Sequence, residues 1–315
     1  MTNPQIPTIA SMLPSNFPLA QDFRRLDEVP ADEAINILLY GGSGTGKTFF
    51  AGSAGARSLF INIGQGLATL KSPLFRKLYP EAGQMLTVDI FEKLDRRATP
   101  TEGVMFDAVS DTLDNCLQTA SVSDMFDTVI IDDASALRRA ALHKALDVNQ
   151  KLNKSQTKSK IVEEFDTVAA SVQDFGLEMS MVEQFMSGYT EICKKAGKHL
   201  IVVAHERNIF KKATGIGDIP QLMRTVPAFT GVDKNPDYVA KYFDNVWNTS
   251  AVSGGTERVY RIRCQGDEAI SAKSRYAGVF DTLETDLTFP KVLERIAASQ
   301  GSNVKLIGVS RKVSG

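Results

Sequence analysis

One stretch of eight residues has the types and spacing that fit the binding of a polyphosphate. Residues 41–48 match the pattern G-x-x-x-x-G-K-[ST] in full, and they are Gly41, Gly42, Ser43, Gly44, Thr45, Gly46, Lys47 and Thr48. Glycines let the backbone curl so that N–H groups point at phosphate oxygens, and a following helix adds partial positive charge. Lys47 would neutralise the β- and γ-phosphates, and the Thr48 hydroxyl would bind Mg²⁺. The stretch predicts a phosphate-binding loop, against the alternative of a chance glycine turn.

An apolar run that ends in two acidic residues supplies the second element of this chemistry. Val129, Ile130 and Ile131 precede Asp132 and Asp133, which is the Walker B pattern. In that pattern Asp132 would hold Mg²⁺, through a water, and Asp133 would polarise an attacking water. Since a helical stretch follows at 134–145, a simple helix cap is the structural alternative for the acidic pair.

Short β-rich runs that alternate with helical stretches must position these residues. Several runs are continuously apolar, which is typical of strands buried on both faces of a parallel sheet. The first leads directly into residues 41–48, and the five runs lie at 35–40, 58–63, 86–91, 127–132 and 199–206. Two later runs, 246–252 and 258–264, flank the turn sequence SGGT and predict an antiparallel hairpin. We therefore predict an α/β fold with a mostly parallel central sheet, flanking helices that include 161–198, and a hairpin extension.

Composition excludes several other classes of protein. The chain has 315 residues, of which 36 are basic and 37 acidic, and its net charge of −1 excludes a surface that coats nucleic acid throughout. The three cysteines are more than 70 residues apart, which excludes zinc ribbons, C-x-x-C redox motifs and a disulfide framework. The longest aliphatic run, at 200–204, is far below the roughly 20 residues of a membrane span, and the N-terminus lacks a signal-peptide pattern. We predict a soluble cytoplasmic protein with no membrane partner.

We expect the chain to divide into three parts, and the first is marked by its proline content. Residues 1–30 contain five of the twelve prolines, and because proline fixes φ and removes a backbone donor, this stretch predicts an extended leader. The sheet and its helices occupy residues 31–296. Residues 297–315 form a C-terminal tail.

Two later segments resemble motifs of phage replicative helicases of the DnaB kind. The run at 199–206 leads into His205-Glu206-Arg207-Asn208, and this segment is similar to the H-x-x-N phosphate sensor. A surface histidine at a strand end is the alternative. Residues 272–278 are similar to the K-N-R-x-x-G segment, with Ser274 in place of asparagine. The resemblance implies that Lys273 and Arg275 reach the ATP of a neighbouring subunit, so that the protein assembles with itself as a ring or filament. The alternative is that Lys273 and Arg275 are solvent-exposed basic residues without a role at the nucleotide.

Taken in order and spacing, these motifs over residues 31–296 resemble RecA-like P-loop ATPases of bacteriophages. The similarity extends to the Sak-type single-strand annealing recombinases, also labelled phage AAA nucleotide-binding proteins. That resemblance implies ATP and Mg²⁺ as cofactors, a DNA-stimulated ATPase, single-stranded DNA as partner, and a role in recombination or replication in the host cytoplasm. A phage or host single-strand-binding protein is a further expected partner. Asn153-Lys154 is followed by Ser155-Gln156, so a guanine-specific N-K-x-D motif is absent there and ATP is favoured over GTP.

The sequence departs from the RecA-like pattern at the position of the general base. A glutamate usually follows the strand after the phosphate loop, but this place reads Asn62-Ile63-Gly64-Gln65-Gly66. Gln65 can orient a water but cannot take its proton. Either Asp133 or Glu206 therefore acts as base, or hydrolysis is slow, or ATP serves as a structural switch.

Basic residues suggest where DNA would bind. The loop expected at 207–231 carries cations with aromatic residues between them, which suits phosphate contact and base stacking: Arg207, Lys211, Lys212 and Arg224, with Phe210 and Phe229. A second basic stretch comprises Lys151, Lys154, Lys158 and Lys160. Solvated loops often carry such residues without contacting DNA.

Two other functions stay open. One is a helicase or helicase-loading ATPase, and the other is a nucleotide-gated assembly or virion component without DNA activity.

Overall fold

The computed structural model describes residues 34–64, 66–90, 104–149, 170–211, 221–229, 238–254 and 257–300. All five runs that the sequence predicts as strands are strands. The described strands are β1 (Asn36–Gly41), β2 (Ser58–Asn62), β3 (Leu86–Asp89), β4 (Thr128–Asp132), β5 (His199–Phe210), β6 (Leu222–Pro227), β7 (Asn245–Gly254), β8 (Glu257–Arg263), β9 (Lys273–Ser274) and β10 (Leu283–Thr285).

These strands form one ten-stranded sheet with the order β10-β8-β7-β1-β5-β4-β2-β3, to which β6 adds beside β5 and β9 beside β7. The strands from β3 to β7 in that order run parallel to one another. Strand β8 is antiparallel to β7, and β10 is antiparallel to β8. The predicted α/β fold, with a mostly parallel sheet and an antiparallel hairpin extension, is confirmed.

Helices cover both faces of the sheet. They are α1 (Lys47–Gly52), α2 (Leu67–Leu70), α3 (Pro73–Leu78), α4 (Val104–Gln118), α5 (Ala120–Ser123), α6 (Ala134–Val148), α7 (Val172–Lys195) and α8 (Phe289–Gln300), with 3₁₀ turns at Pro80–Gln84 and Ala240–Tyr242. Side chains alternate along each strand, so β1 sends Leu38 into a core with α4, α6 and α7, and Leu39 into a core with α1 and α8. Burial on both faces explains why the strands are continuously apolar in sequence.

The part of the expected loop 207–231 that the structure describes is a β-hairpin instead. Strand β5 does not end at Glu206 but continues to Phe210 and pairs antiparallel with β6, with Asn208 opposite Thr225. The pairing satisfies backbone groups that a loop would leave to water. The segment at 269–271 also contacts β6, because the N–H of Thr225 donates to the carbonyl of Ala269 and the N–H of Ser271 donates to that of Thr225.

Several expectations about organisation fall on residues outside those described. The proline-rich leader and the second basic stretch at 151–160 are among them, as is the helical prediction before residue 170. Helix α8 ends at Gln300, so the boundary expected at 296 falls inside a helix. In the described ranges, no helix has the length and apolar character to cross a membrane.

Candidate nucleotide-binding site

The phosphate-loop motif connects the end of β1 to the start of α1, as the sequence predicts. Gly44 and Gly46 have φ angles of +70° and +91°, in the left-handed region where glycine is strongly favoured. A Cβ at Gly46 would also lie 2.8 Å from Cδ1 of Tyr260. The Thr45 hydroxyl donates to the carbonyl of Gly42 at 2.8 Å and closes the loop on itself.

Lys47 occupies the interior of this loop. Its Nζ donates to the carbonyl oxygens of Gly41 at 2.9 Å and Gly42 at 2.6 Å. Burial lowers the pKa of Lys47, while the negative charges of Asp132, Asp133 and Glu206 oppose that shift. Oxygens of a polyphosphate can replace the two carbonyl oxygens, since an ammonium binds either as a donor.

Thr48 and Asp132 meet where a metal ion would be needed. The Thr48 hydroxyl donates to Oδ2 of Asp132 at 2.6 Å. Burial raises the pKa of Asp132 to about 6, with a further rise from Asp133, while the hydrogen bond from Thr48 lowers it. Gly66 packs so closely on this carboxylate that a Cβ there would clash with it.

This pair of oxygen donors fits Mg²⁺, which is usually held by one or two protein oxygens together with phosphates and waters. Among the residues that the structure describes, no group of three or more His, Cys, Asp or Glu side chains could hold a metal ion alone. The site therefore suits a metal that arrives with a nucleotide.

Asp133 makes two structural contacts. One of them is the helix cap that the sequence analysis gives as the structural alternative. It is the N-cap of α6, where its Oδ1 accepts from the N–H of Ala136. Its Oδ2 lies 3.1 Å from Nε2 of His205. The backbone N–H of His205 donates to the Ser135 hydroxyl at 3.0 Å. Asp133 and His205 thus link the residue after β4 to the middle of β5.

Glu206 lies against the first glycines of the phosphate loop. Its Oε1 is 3.3 Å from the position that a Cβ on Gly42 would take. Because β5 lies between β1 and β4, Glu206 reaches the loop from the neighbouring strand. Asn62, by contrast, uses its Oδ1 to accept from the N–H of Gly66 at 3.1 Å, and Gln65 is outside the described residues.

Lys273 and Arg275 lie at the opposite end of the sheet from the phosphate loop. Strand β9 pairs with the first residues of β7, whereas Thr249, farther along β7, is beside Gly41. Nη1 of Arg275 is 2.7 Å from Oδ1 of the buried Asp244. This geometry separates both basic residues from the loop of their own chain, and their action on a neighbouring subunit stays a prediction.

The basic residues expected to contact DNA differ in their exposure and in their contacts. Lys211 is exposed at the end of the β5–β6 hairpin, next to Phe210, and Lys212 is outside the described residues. Arg224 donates to the Ser271 hydroxyl at 3.2 Å. Arg207 is half-buried, and burial and then the nearby Arg138 lower its pKa.

The interpretation of Phe229 as a stacking aromatic is wrong. Its side chain is 1% exposed and belongs to the core under α6 and α7. An aromatic side chain in a polar segment is not necessarily a surface residue, because apolar area gains most by burial.

Sequence reasoning missed the residues that the hairpin of β7 and β8 brings to the loop. The hydroxyls of Thr249 and Thr45 are hydrogen-bonded at 2.6 Å, and the Tyr260 ring stacks on Phe49 with centroids 6.3 Å apart. A cavity of about 260 Å³ opens beside them, and its lining includes Thr45, Phe49, Tyr260, Asp286, Leu287 and Lys291. The polar alternation of β8 was a signal, but only the pairing of β7 with β1 assigns it to this site.

A protein-family model described as "AAA domain" matches residues 33–276 of the chain. The chain belongs to the AAA-domain family. No curated protein matches it. Among solved structures the chain is similar to the flagellar accessory protein FlaH from Methanocaldococcus jannaschii, at 10% sequence identity and a TM-score of 0.37, over 81% of this chain and 90% of that chain. The family assignment supports a P-loop ATPase core that binds a nucleotide.

The double engagement of Asp133 leads to a test of its structural role. We expect Asp133→Ala to lower the free energy of unfolding by about 1 kcal/mol, because α6 loses its N-cap. Asp133→Ser should retain most of the stability, since a serine hydroxyl also caps a helix. Urea unfolding followed by the fluorescence of Trp247, the single tryptophan, measures both. Equal stability of Asp133→Ala and the parent protein would contradict the capping role.

Proposed function

We propose that this AAA-domain protein binds and hydrolyses ATP with Mg²⁺ and couples that cycle to single-stranded DNA. The observation that carries the proposal is the continuity of β5. This strand runs from His205 and Glu206, at the phosphate loop, to Phe210 in an exposed hairpin. A paired strand is stiff enough to move as a unit. A change in the phosphates beside Glu206 would therefore shift the hairpin as well.

ATP would bind with its phosphates in the loop and its base in the adjoining cavity. Loop N–H groups and Lys47 suit the phosphates, and Thr48 and Asp132 would hold Mg²⁺, which would neutralise charge on the phosphate oxygens. The cavity of about 260 Å³ has stacked aromatic rings, Phe49 and Tyr260, in its wall. Such a wall suits a planar base. The missing guanine motif in the sequence supports adenine.

Glu206 is the carboxylate that we assign as the general base. Asp133 accepts from the N–H of Ala136 with Oδ1, and its Oδ2 lies beside His205, so each of its two oxygens already has a partner. Glu206 approaches Gly42 and contributes negative charge near Lys47. A base beside the phosphates can take the proton of an attacking water. His205 would fix the position of Asp133, and the glutamine at position 65 then needs no basic role.

Single-stranded DNA is the partner that suits the hairpin. Three apolar side chains near its end are about half exposed, namely Phe210 at 50%, Leu222 at 52% and Met223 at 56%, and Lys211 adds a cation. Bases stack on aromatic rings while cations contact phosphates, without a need for a particular sequence. With a net charge of −1, a DNA contact would be local. Arg207 and Arg224, tied to neighbours, would support the hairpin.

The motifs resemble those of the phage Sak-type annealing recombinases, which leads us to propose a role in phage recombination or replication in the host cytoplasm. There a single-strand-binding protein of phage or host would be a partner. A helicase or helicase loader would require unwinding or loading activity as well. A nucleotide-gated assembly or virion component would require ATP binding without any response to DNA.

The base assignment is tested with Glu206→Gln, which keeps the shape of the side chain but cannot accept a proton. We expect kcat for ATP to fall by about 100-fold or more, as for removal of a general base, while the Kd for ATP changes little. Asp133→Ser is the matched control and should retain turnover. Normal turnover in Glu206→Gln, or its loss in Asp133→Ser alone, would assign the base to Asp133.

The DNA proposal is tested by ATPase activity with and without single-stranded DNA. We expect stimulation in the parent protein, and Phe210→Ala should weaken DNA binding by about fivefold or more, the effect of losing one stacked base. Leu74→Ala, which truncates an apolar residue of α3 that is 60% exposed, should leave binding unchanged. Lys47→Ala should lose ATP turnover in every condition.

Two other results separate the remaining functions. ATP turnover without stimulation, together with no salt-dependent DNA binding, would refute the DNA role and favour a nucleotide-gated assembly. Unwinding of duplex DNA would favour the helicase.

The proposed trans action of Arg275 is tested with mixed subunits. We expect Arg275→Ala to bind ATP without hydrolysing it, because an arginine at the phosphates stabilises transition-state charge. Adding Lys47→Ala subunits, which retain Arg275, should restore part of the activity. Lys194→Ala is the control, since it removes another partner of Asp244 and should keep turnover. Absence of rescue, with only monomers by mass measurement, would refute trans action.

A further inference from the structure

The β7–β8 hairpin brings a second cation to the phosphate loop. A Cβ at Gly44, in the middle of the loop, would lie 3.5 Å from Nη1 and 3.6 Å from Nη2 of Arg258. Distances of this size are ordinary van der Waals contact, so the guanidinium lies about one methyl group away from the loop backbone at Gly44. The sequence patterns that identify the loop contain no reference to this arginine.

The register of the hairpin and one aromatic ring account for the position of Arg258. Arg258 is opposite Ser253 and Tyr260 is opposite Ala251, and residues two apart on a strand face the same side. The Tyr260 ring packs on Gly46 and stacks on Phe49. Cζ of Arg258 is 5.9 Å from the centre of that ring, within the range of a cation–π contact. Among the carboxylates that the structure describes, none pairs with Arg258.

The carboxylates around Lys47 favour a second cation beside the phosphate loop. Asp132, Asp133 and Glu206 all act on Lys47 electrostatically, so three carboxylates accompany one ammonium at the floor of the loop. A polyphosphate adds several more negative charges. A guanidinium binds phosphate oxygens through two parallel N–H groups, which makes it stronger and more directional than an ammonium.

We propose that Arg258 binds the polyphosphate of the nucleotide, in cis, from the same chain that supplies the phosphate loop. This inference rests on the proposed nucleotide binding and adds a binding residue to it. It is separate from Arg275, which lies at the other end of the sheet. In the occupied site, Arg258 would contact the phosphates from the β7–β8 hairpin and Lys47 from the start of α1.

The experiment measures the Kd of ATP, ADP and AMP by calorimetry for the parent protein and three variants. Arg258→Ala should weaken ATP and ADP by about tenfold or more, the usual effect of losing a hydrogen bond to a charged group, and AMP much less. Arg258→Lys should recover part of the loss because it keeps the charge. Arg263→Ala, on the same strand but paired with Asp267, removes the same charge and should bind as the parent does.

The outcomes distinguish this inference from the proposed function. Unchanged ATP affinity in Arg258→Ala, with parent-like unfolding by Trp247 fluorescence, overturns the role of Arg258 and leaves nucleotide binding intact. Equal weakening of ATP and AMP assigns the guanidinium to the part that both share, which is the base, the ribose or the α-phosphate, and overturns its binding of the β- and γ-phosphates. Restored binding on mixing Arg258→Ala with Lys47→Ala subunits overturns action in cis. No binding of ATP by the parent protein refutes the proposed function itself.

Discussion

The whole site depends on the placement of β5 between β1 and β4. Parallel strands end at the same edge of a sheet, so this order joins the phosphate loop after β1, the acids after β4 and His205–Glu206 in β5. Helix α1 can then begin at Lys47 with its N-terminus facing the same edge. If β5 were at the outside of the sheet, three other strands would separate Glu206 from β1 and its loop, and Asp133 would be the nearer carboxylate.

Charge is concentrated at that edge in a way that favours a ligand. Burial raises the pKa of Asp132 to about 6 and lowers the pKa of Lys47. The charged form of each group is therefore less favourable in the protein than in water. Mg²⁺ would add positive charge beside Asp132, and phosphate oxygens would add negative charge beside Lys47. A metal–nucleotide pair would thus offset the cost of burying both charged groups, as in preorganised binding sites.

How much the sequence could predict depends on the distance between the residues that create each feature. The phosphate loop and the acidic pair are contiguous, and the strands are short apolar runs, so local patterns were sufficient for the fold and for residues 41–48. Thr249 and Tyr260 join the site through the pairing of β7 with β1, across about two hundred residues of chain. The hairpin of β5 and β6 was missed because its residues resemble a polar loop until β6 pairs with them. Phe229 was misassigned because its burial depends on packing against distant helices, in the core under α6 and α7.

The position of Arg275 constrains any assembly in which it acts. The loop is at the carboxyl ends of the strands, and Arg275 is beside their amino ends, so one surface of a subunit would have to meet a different surface of the next. Such head-to-tail contacts generate rings or filaments and exclude a simple two-fold dimer. Arg275 would also have to leave Asp244. That carboxylate accepts from Lys194 at 2.9 Å and from the N–H of Asn36 at 3.0 Å, so it keeps two partners when the arginine moves. Because Asp244 keeps these hydrogen bonds, Arg275 can exchange Asp244 for a phosphate without leaving a buried carboxylate unpaired.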